Sequence, residues 1–221
     1  MHIPSSEIKT LEERQIIDAY VEYVNTTGKN RLKVEQCPID QKLARDLGQG
    51  RSIPDAILKD SSGVCKWLEV TLISRNQSMR QEIGEQRKNV KSASSAIKVV
   101  NLAGATSSTI IEISNIINKK SRKNYSDFAI KSKINIMGDL IIGLVVPDPF
   151  HDANELDTLC DNFDEHVLFS LGCGESLFDE IWLYTYVMTE EGWKPKFLCL
   201  ANEQTMNNLR VRQSVKAELL A

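Results

Sequence analysis

Histidine and cysteine are scarce in this 221-residue chain, and neither is arranged to hold a metal. The three histidines, His2, His151 and His166, stand apart, and no Cys-x-x-Cys pair exists, so a zinc-site spacing is excluded. The five cysteines (Cys37, Cys65, Cys160, Cys173 and Cys199) are odd in number and scattered. They read as buried thiols in a reducing compartment, which makes the cytoplasm the expected location. No apolar run approaches ~20 residues, so no membrane span is expected. The opening residues, Met1 to Glu7, lack the basic-then-apolar order of a secretory signal. Positive charge is not in excess either: a formal charge of −3 and a pI of about 5.7 give no global attraction to nucleic acid. Aromatic residues make up only 6%, and Trp182, Tyr184 and Tyr186, alternating on one strand face, read as core or subunit contact rather than a base-stacking platform.

What is present suits one globular domain over residues 1–221, with 42% hydrophobic residues to build a core. Apolar positions at Ile16, Ile17, Tyr20, Val21 and Val24 predict a helix over 7–25, capped by Ser5 or Ser6 and followed by Gly28. Residues 29–49 are polar and weakly patterned, with a short helix expected over 38–45. Strands are predicted over 53–59 and 65–73, joined by a hairpin turn at 59–63. A long charged helix is expected from Asn76 to Val100, and a second from Ser108 to Asn124, turning Ile110, Ile113, Ile116 and Ile117 to the core. Residues 139–146 are almost wholly apolar, as a strand covered on both faces reads. A helix over 154–166, a strand over 178–186, its hairpin mate over 193–200 and a polar helix from Asn202 complete the chain. This order of elements is an α/β sandwich around a mixed sheet.

The chemistry is carried by two acids. Asp55 lies in Ile53-Pro54-Asp55-Ala56-Ile57-Leu58 and Glu69 in Trp67-Leu68-Glu69-Val70-Thr71-Leu72. On paired strands at this offset, both carboxylates can share one sheet edge and hold a hard divalent cation, whose preferred ligands are oxygens. Plainer readings stand beside this one. Asp55 can cap a turn after Pro54, and Glu69, sharing a strand face with Trp67 and Thr71, can look to solvent.

Pro54-Asp55 followed by Glu69-Val70-Thr71 resembles the signatures of the PD-(D/E)XK, or restriction-endonuclease-like, nucleases. More closely, the chain is similar to a branch in which Glu-Val-Thr replaces Glu-x-Lys and a lysine-rich helix ending in tyrosine precedes an apolar strand. That helix would be Ile117-Asn118-Lys119-Lys120-Ser121-Arg122-Lys123-Asn124-Tyr125. The resemblance covers roughly residues 8–186, leaving a C-terminal hairpin and helix over 187–221. It implies a restriction-endonuclease-like α/β/α fold and hydrolysis of phosphodiester bonds in nucleic acid, DNA first. It also implies Mg²⁺ or Mn²⁺ held by Asp55, Glu69 and the carbonyl of Val70, with Glu13 as a further ligand from the first helix. A restriction or defence system, a homodimer and a protein partner in a multi-component system fit the same picture.

Thr71 departs from that pattern, because it cannot supply the positive charge of the usual lysine. Lys120 follows Ile113 and Ile117 on the core-facing side of its helix, so it is the candidate to reach the acidic edge instead. Two basic clusters offer phosphate contacts: Arg75, Arg80, Arg87, Lys88, Lys91 and Lys98, with Gln81 and Gln86 among them, and then Lys119, Lys120, Arg122, Lys123, Lys131 and Lys133. The plain alternatives are a charged helix face for the first, a helix end complementing its dipole for the second, and a first-turn acid for Glu13. Two functions from different classes remain open. One is a metal-dependent nuclease; the other is a catalytically inactive module of that fold, binding nucleic acid or a protein.

Overall fold

The structure, a computed structural model, describes residues 5–28, 31–39, 52–73, 102–144, 156 and 159–220. Six strands form one mixed sheet in the order β1 to β6. Strands β1 (Leu32–Gln36), β2 (Ala56–Asp60) and β3 (Cys65–Leu72) make an antiparallel meander. The sheet continues in parallel through β4 (Gly138–Gly143) and β5 (Phe178–Thr189), and β6 (Gly192–Ala201) closes it as the antiparallel mate of β5.

Helices cover both faces. Helix α1 (Ser5–Thr27) lays Ile16, Ile17 and Tyr20 against Leu58, Leu68, Val70, Ile141 and Tyr184. The opposite face carries α2 (Leu102–Ser121), α3 (Ser126–Ser132), α4 (Glu165–Ser170) and α5 (Glu203–Leu220). There Ile113, Ile117, Phe128, Leu168 and Leu209 pack with Ile57, Trp67, Leu140 and Ile181. Alternation along β3 decides which side chain meets which layer: Trp67 faces α2 and α3, whereas Leu68 and Val70 face α1. All six residues of β4 are buried, as expected for a strand covered on both sides.

Most expected elements form, with shifted ends. Three differences have physical causes. Strand β1 lies within the polar, weakly patterned stretch; it is a five-residue edge strand whose Lys33 and Glu35 look outward, so only Leu32 is buried. Helix α3 was not foreseen because seven residues span barely two turns. The helix expected over 154–166 breaks after Asp161, and Asp164 caps α4 by accepting the Val167 N–H at 2.8 Å. The helices expected over 38–45 and 76–100 lie outside the described residues, apart from Pro38 and Ile39, which are not helical. Cys173 alone is a fully buried thiol; Cys199, expected to be buried, is exposed because its strand lies at the sheet edge. No helix among the described residues is long and apolar enough to cross a membrane.

Candidate active site at the β2–β3 edge

The turn between β2 and β3 sets the register that brings the two acids together. Asp60 Oδ1 accepts from the N–H groups of Ser62 and Val64, and Gly63 supplies the left-handed backbone (φ 89°) that the turn requires. Ala56 is thereby fixed opposite Leu68. Strand β2 starts at Ala56, later than expected, so Asp55 stands just outside it, its N–H donating to the Leu68 carbonyl at 2.9 Å. The Asp55 carboxylate then takes the place a strand would have filled: Oδ2 accepts the Val70 N–H at 2.7 Å. In an extended strand the N–H and C=O of one residue point to the same side. The Val70 carbonyl therefore also faces the gap beyond the end of β2.

Glu69 turns the other way from Val70, toward α2. It is 3% exposed, which rules out the reading in which it looks to solvent. Lys120 meets it there: its ammonium pairs with Glu69 Oε1, and the two side chains are 13% and 4% exposed. Burying two charges is tolerable only when each has its partner, so this contact is a desolvated ion pair rather than a surface ornament. Ile113 and Ile117, both fully buried, seat the face of α2 that delivers Lys120.

Lys123 joins the same oxygen at 3.4 Å. The chain leaves α2 at Ser121 and turns, with the Lys123 N–H donating to the Lys120 carbonyl at 3.0 Å, which folds the side chain back onto Glu69 and to 5.8 Å from the Tyr125 ring centroid. Burial lowers the pKa of the Lys123 ammonium, and the neighbouring Lys120 charge adds to that. Sequence reasoning set Lys123 among surface phosphate contacts; the structure sets it within the acidic site. The rest of that cluster divides from it: Lys119, Arg122, Lys131 and Lys133 are exposed. Arg75, Arg80, Arg87, Lys88, Lys91 and Lys98, with Gln81 and Gln86, lie outside the described residues.

The Asp55 carboxyl is pushed up to about 7, first by burial and then by the Glu69 charge, with the Val70 N–H acting in the opposite sense. Glu13 adds to the rise and Lys120 offsets part of it, so three neighbouring charges bear on Asp55. Glu13 is near enough to influence Asp55, but among the described residues no three His, Cys, Asp or Glu side chains gather as a ligand set. The oxygens available to a cation at this edge are those of Asp55, the Val70 carbonyl and Glu69 Oε2, which is buried without a hydrogen-bond partner. An all-oxygen set of this kind suits Mg²⁺ or Mn²⁺, which retain water in their remaining positions. Thr71 Oγ1 and the Tyr125 hydroxyl are also buried without partners.

A second polar cluster lies on the α1 face. Asp139, fully buried at the start of β4, pairs with Lys66 and accepts from the Tyr20 hydroxyl at 3.0 Å. Burial opposes the Lys66 charge, but Asp139, Glu180 and Asp179 outweigh it and raise its pKa. Nothing in the sequence pattern signalled this cluster, because Asp139 opens an otherwise apolar run and its partners are remote in the chain.

Comparison with protein-family models, curated proteins and solved structures finds no match for this chain.

Proposed function

We propose that the protein is a metal-dependent nuclease, with a restriction-endonuclease-like core that hydrolyses phosphodiester bonds, in DNA first. One observation carries the reading. In a chain with Thr71 where such nucleases have lysine, a different element, α2, delivers Lys120 onto Glu69 beside Asp55. The signature resemblance supports the same conclusion independently of the geometry.

Asp55, Glu69 and the Val70 carbonyl are the residues that would hold the cation. Once bound, Mg²⁺ or Mn²⁺ supplies polarisation of the phosphoryl oxygen and a more acidic water. Lys120, desolvated and already fixed by Glu69, meets the negative charge that grows on the phosphate during attack, and such preset charges act most strongly where water is excluded. Lys123 adds a second positive group on the same side. Asp55 must be ionised to serve, so the cation competes with its proton and metal affinity should weaken as pH falls below about 7.

Purified protein incubated with single- and double-stranded DNA and RNA, with Mg²⁺ or Mn²⁺, tests this. Cleavage should need the metal, and Asp55→Ala, Glu69→Ala and Lys120→Gln should each lower it by about 100-fold or more while circular dichroism stays native.

A second reading has its own support. Lys120 and Lys123 already neutralise one oxygen of Glu69, and Thr71 brings no charge, as in a nuclease fold kept for binding alone. Calorimetry that detects no Mn²⁺ binding, together with metal-independent retention of nucleic acid or a protein, would favour that module and sink the nuclease.

A further inference from the structure

Tyr125 is a large buried side chain of this site that neither the ion pairs nor the helix caps employ. It stands at the start of α3, where the first turn is held by Asn124 Oδ1, which accepts the Ser126 N–H at 2.9 Å, while the tyrosine contributes no side-chain cap. Its ring stacks on Trp67 with centroids 4.4 Å apart and planes at 28°, and Phe178 closes in at 6.1 Å. Trp67 is itself fixed, its indole N–H donating to the Ile136 carbonyl at 2.9 Å. Phenylalanine would fill the same volume and keep every one of these contacts.

The hydroxyl is what phenylalanine would lack. Tyr125 is 0% exposed, and its hydroxyl is buried without a partner. Buried phenol groups ordinarily find an acceptor, because an unmet one has given up its bonds to water for nothing. Trp67 and Glu69 share one face of β3 two residues apart, so a ring stacked on Trp67 lies alongside Glu69. Glu69 bears on the phenol electrostatically, and it carries the matching unmet group, its Oε2. Oε1 is taken by the lysines. Each carboxylate oxygen offers about two lone-pair positions, so Oε2 can accept from the phenol and still face a cation.

We propose that Tyr125 is a positioning residue: its hydroxyl donates to Glu69 Oε2 and fixes the carboxylate plane, with one oxygen on the lysines and the other turned to the Asp55 edge. The inference rests on the nuclease reading for its catalytic consequence, but the hydrogen bond can be tested without any activity. Hydrogen bonds of this kind, made to a metal-binding side chain rather than to the metal, typically cost ~10–100-fold in metal affinity or activity when removed.

Three measurements on the full chain decide it, using Tyr125→Phe, which keeps the packing, and Glu69→Gln. Proton NMR should show a slowly exchanging tyrosine hydroxyl signal that vanishes in Tyr125→Phe and moves in Glu69→Gln. The ¹³C signal of the Glu69 carboxylate should shift in Tyr125→Phe, a readout that survives even if Glu69→Gln fails to fold. In Mn²⁺-supported cleavage, Tyr125→Phe should lower kcat about 10-fold with KM for DNA unchanged, and weaken Mn²⁺ binding to a similar degree. A Glu69 carboxylate signal indifferent to Tyr125→Phe overturns the proposal whatever the activity. Coupled NMR signals in a protein that never cleaves would instead uphold the hydrogen bond and overturn the nuclease.

Discussion

Burial and the neighbouring Glu69 charge push the Asp55 carboxyl up to about 7, far above the ~3.9 of an unfolded chain. Folding therefore favours its protonated form. That contribution is whole below about pH 4 and is lost as pH rises through about 7, where the ionised group faces Glu69 in the absence of a counter-ion. Asp55→Asn keeps an oxygen for the Val70 N–H and removes the charge. Its urea midpoint should equal that of the wild type at about pH 4 or below and exceed it at pH 8, by on the order of 1–3 kcal/mol in stability. Identical midpoints at pH 8 would show that Asp55 is not under charge strain. Both acids were legible in the sequence, because proline-aspartate before a hairpin and a glutamate amid apolar strand residues are unusual placements. Lys120 was legible through its spacing from Ile113 and Ile117. Lys123 was not: it lies beyond the end of α2, and only the turn after Ser121 folds it back.

Among the elements, β4 opens on a residue that must leave room for Trp67. Gly138 sits beside Trp67 in the parallel ladder, and a Cβ there would lie 2.3 Å from the indole and 2.4 Å from the Trp67 carbonyl. Neither can give way, since the indole is stacked on Tyr125 and bonded to Ile136. Gly138→Ala should therefore destabilise the fold by about 1–3 kcal/mol through overpacking and quench or shift the Trp67 fluorescence, which is buried and stacked in the native state. Chemical denaturation followed by tryptophan emission measures both. The pattern of the sequence could mark β4 as buried, but not why its first residue has no side chain. That requirement comes from Trp67, 71 positions away. Strand β1 and helix α3 escaped for a related reason, since edge strands and two-turn helices carry too few apolar residues to show a period.

At the scale of the molecule, the sheet separates two buried charge clusters found among the described residues. Glu69 with Lys120 and Lys123 lies toward α2, whereas Asp139 with Lys66 and Tyr20 lies toward α1. The second cluster touches no part of the proposed chemistry, and its worth is structural. Asp139→Ala would remove the nearest counter-charge of the partly buried Lys66 and leave the Tyr20 hydroxyl without its acceptor, a loss of about 1–3 kcal/mol. Replacing both partners by apolar residues, Lys66→Met with Asp139→Leu, should recover most of it. Urea denaturation of the single and double variants reads the difference; a double variant as unstable as the single would mean that packing, not charge, holds this end of the sheet.

Strand β3 carries a charged group of opposite sign on each of its faces, Lys66 toward one layer and Glu69 toward the other. A slip of one residue against its neighbours would exchange their faces, turning the ammonium toward α2 and the carboxylate toward α1, away from their partners. Apolar strands slide past one another with little electrostatic consequence. This one is keyed on both sides, so misaligned pairings during folding strip both charges of their partners, and the same side chains proposed for catalysis and for anchoring also select the one alignment in which either can occur.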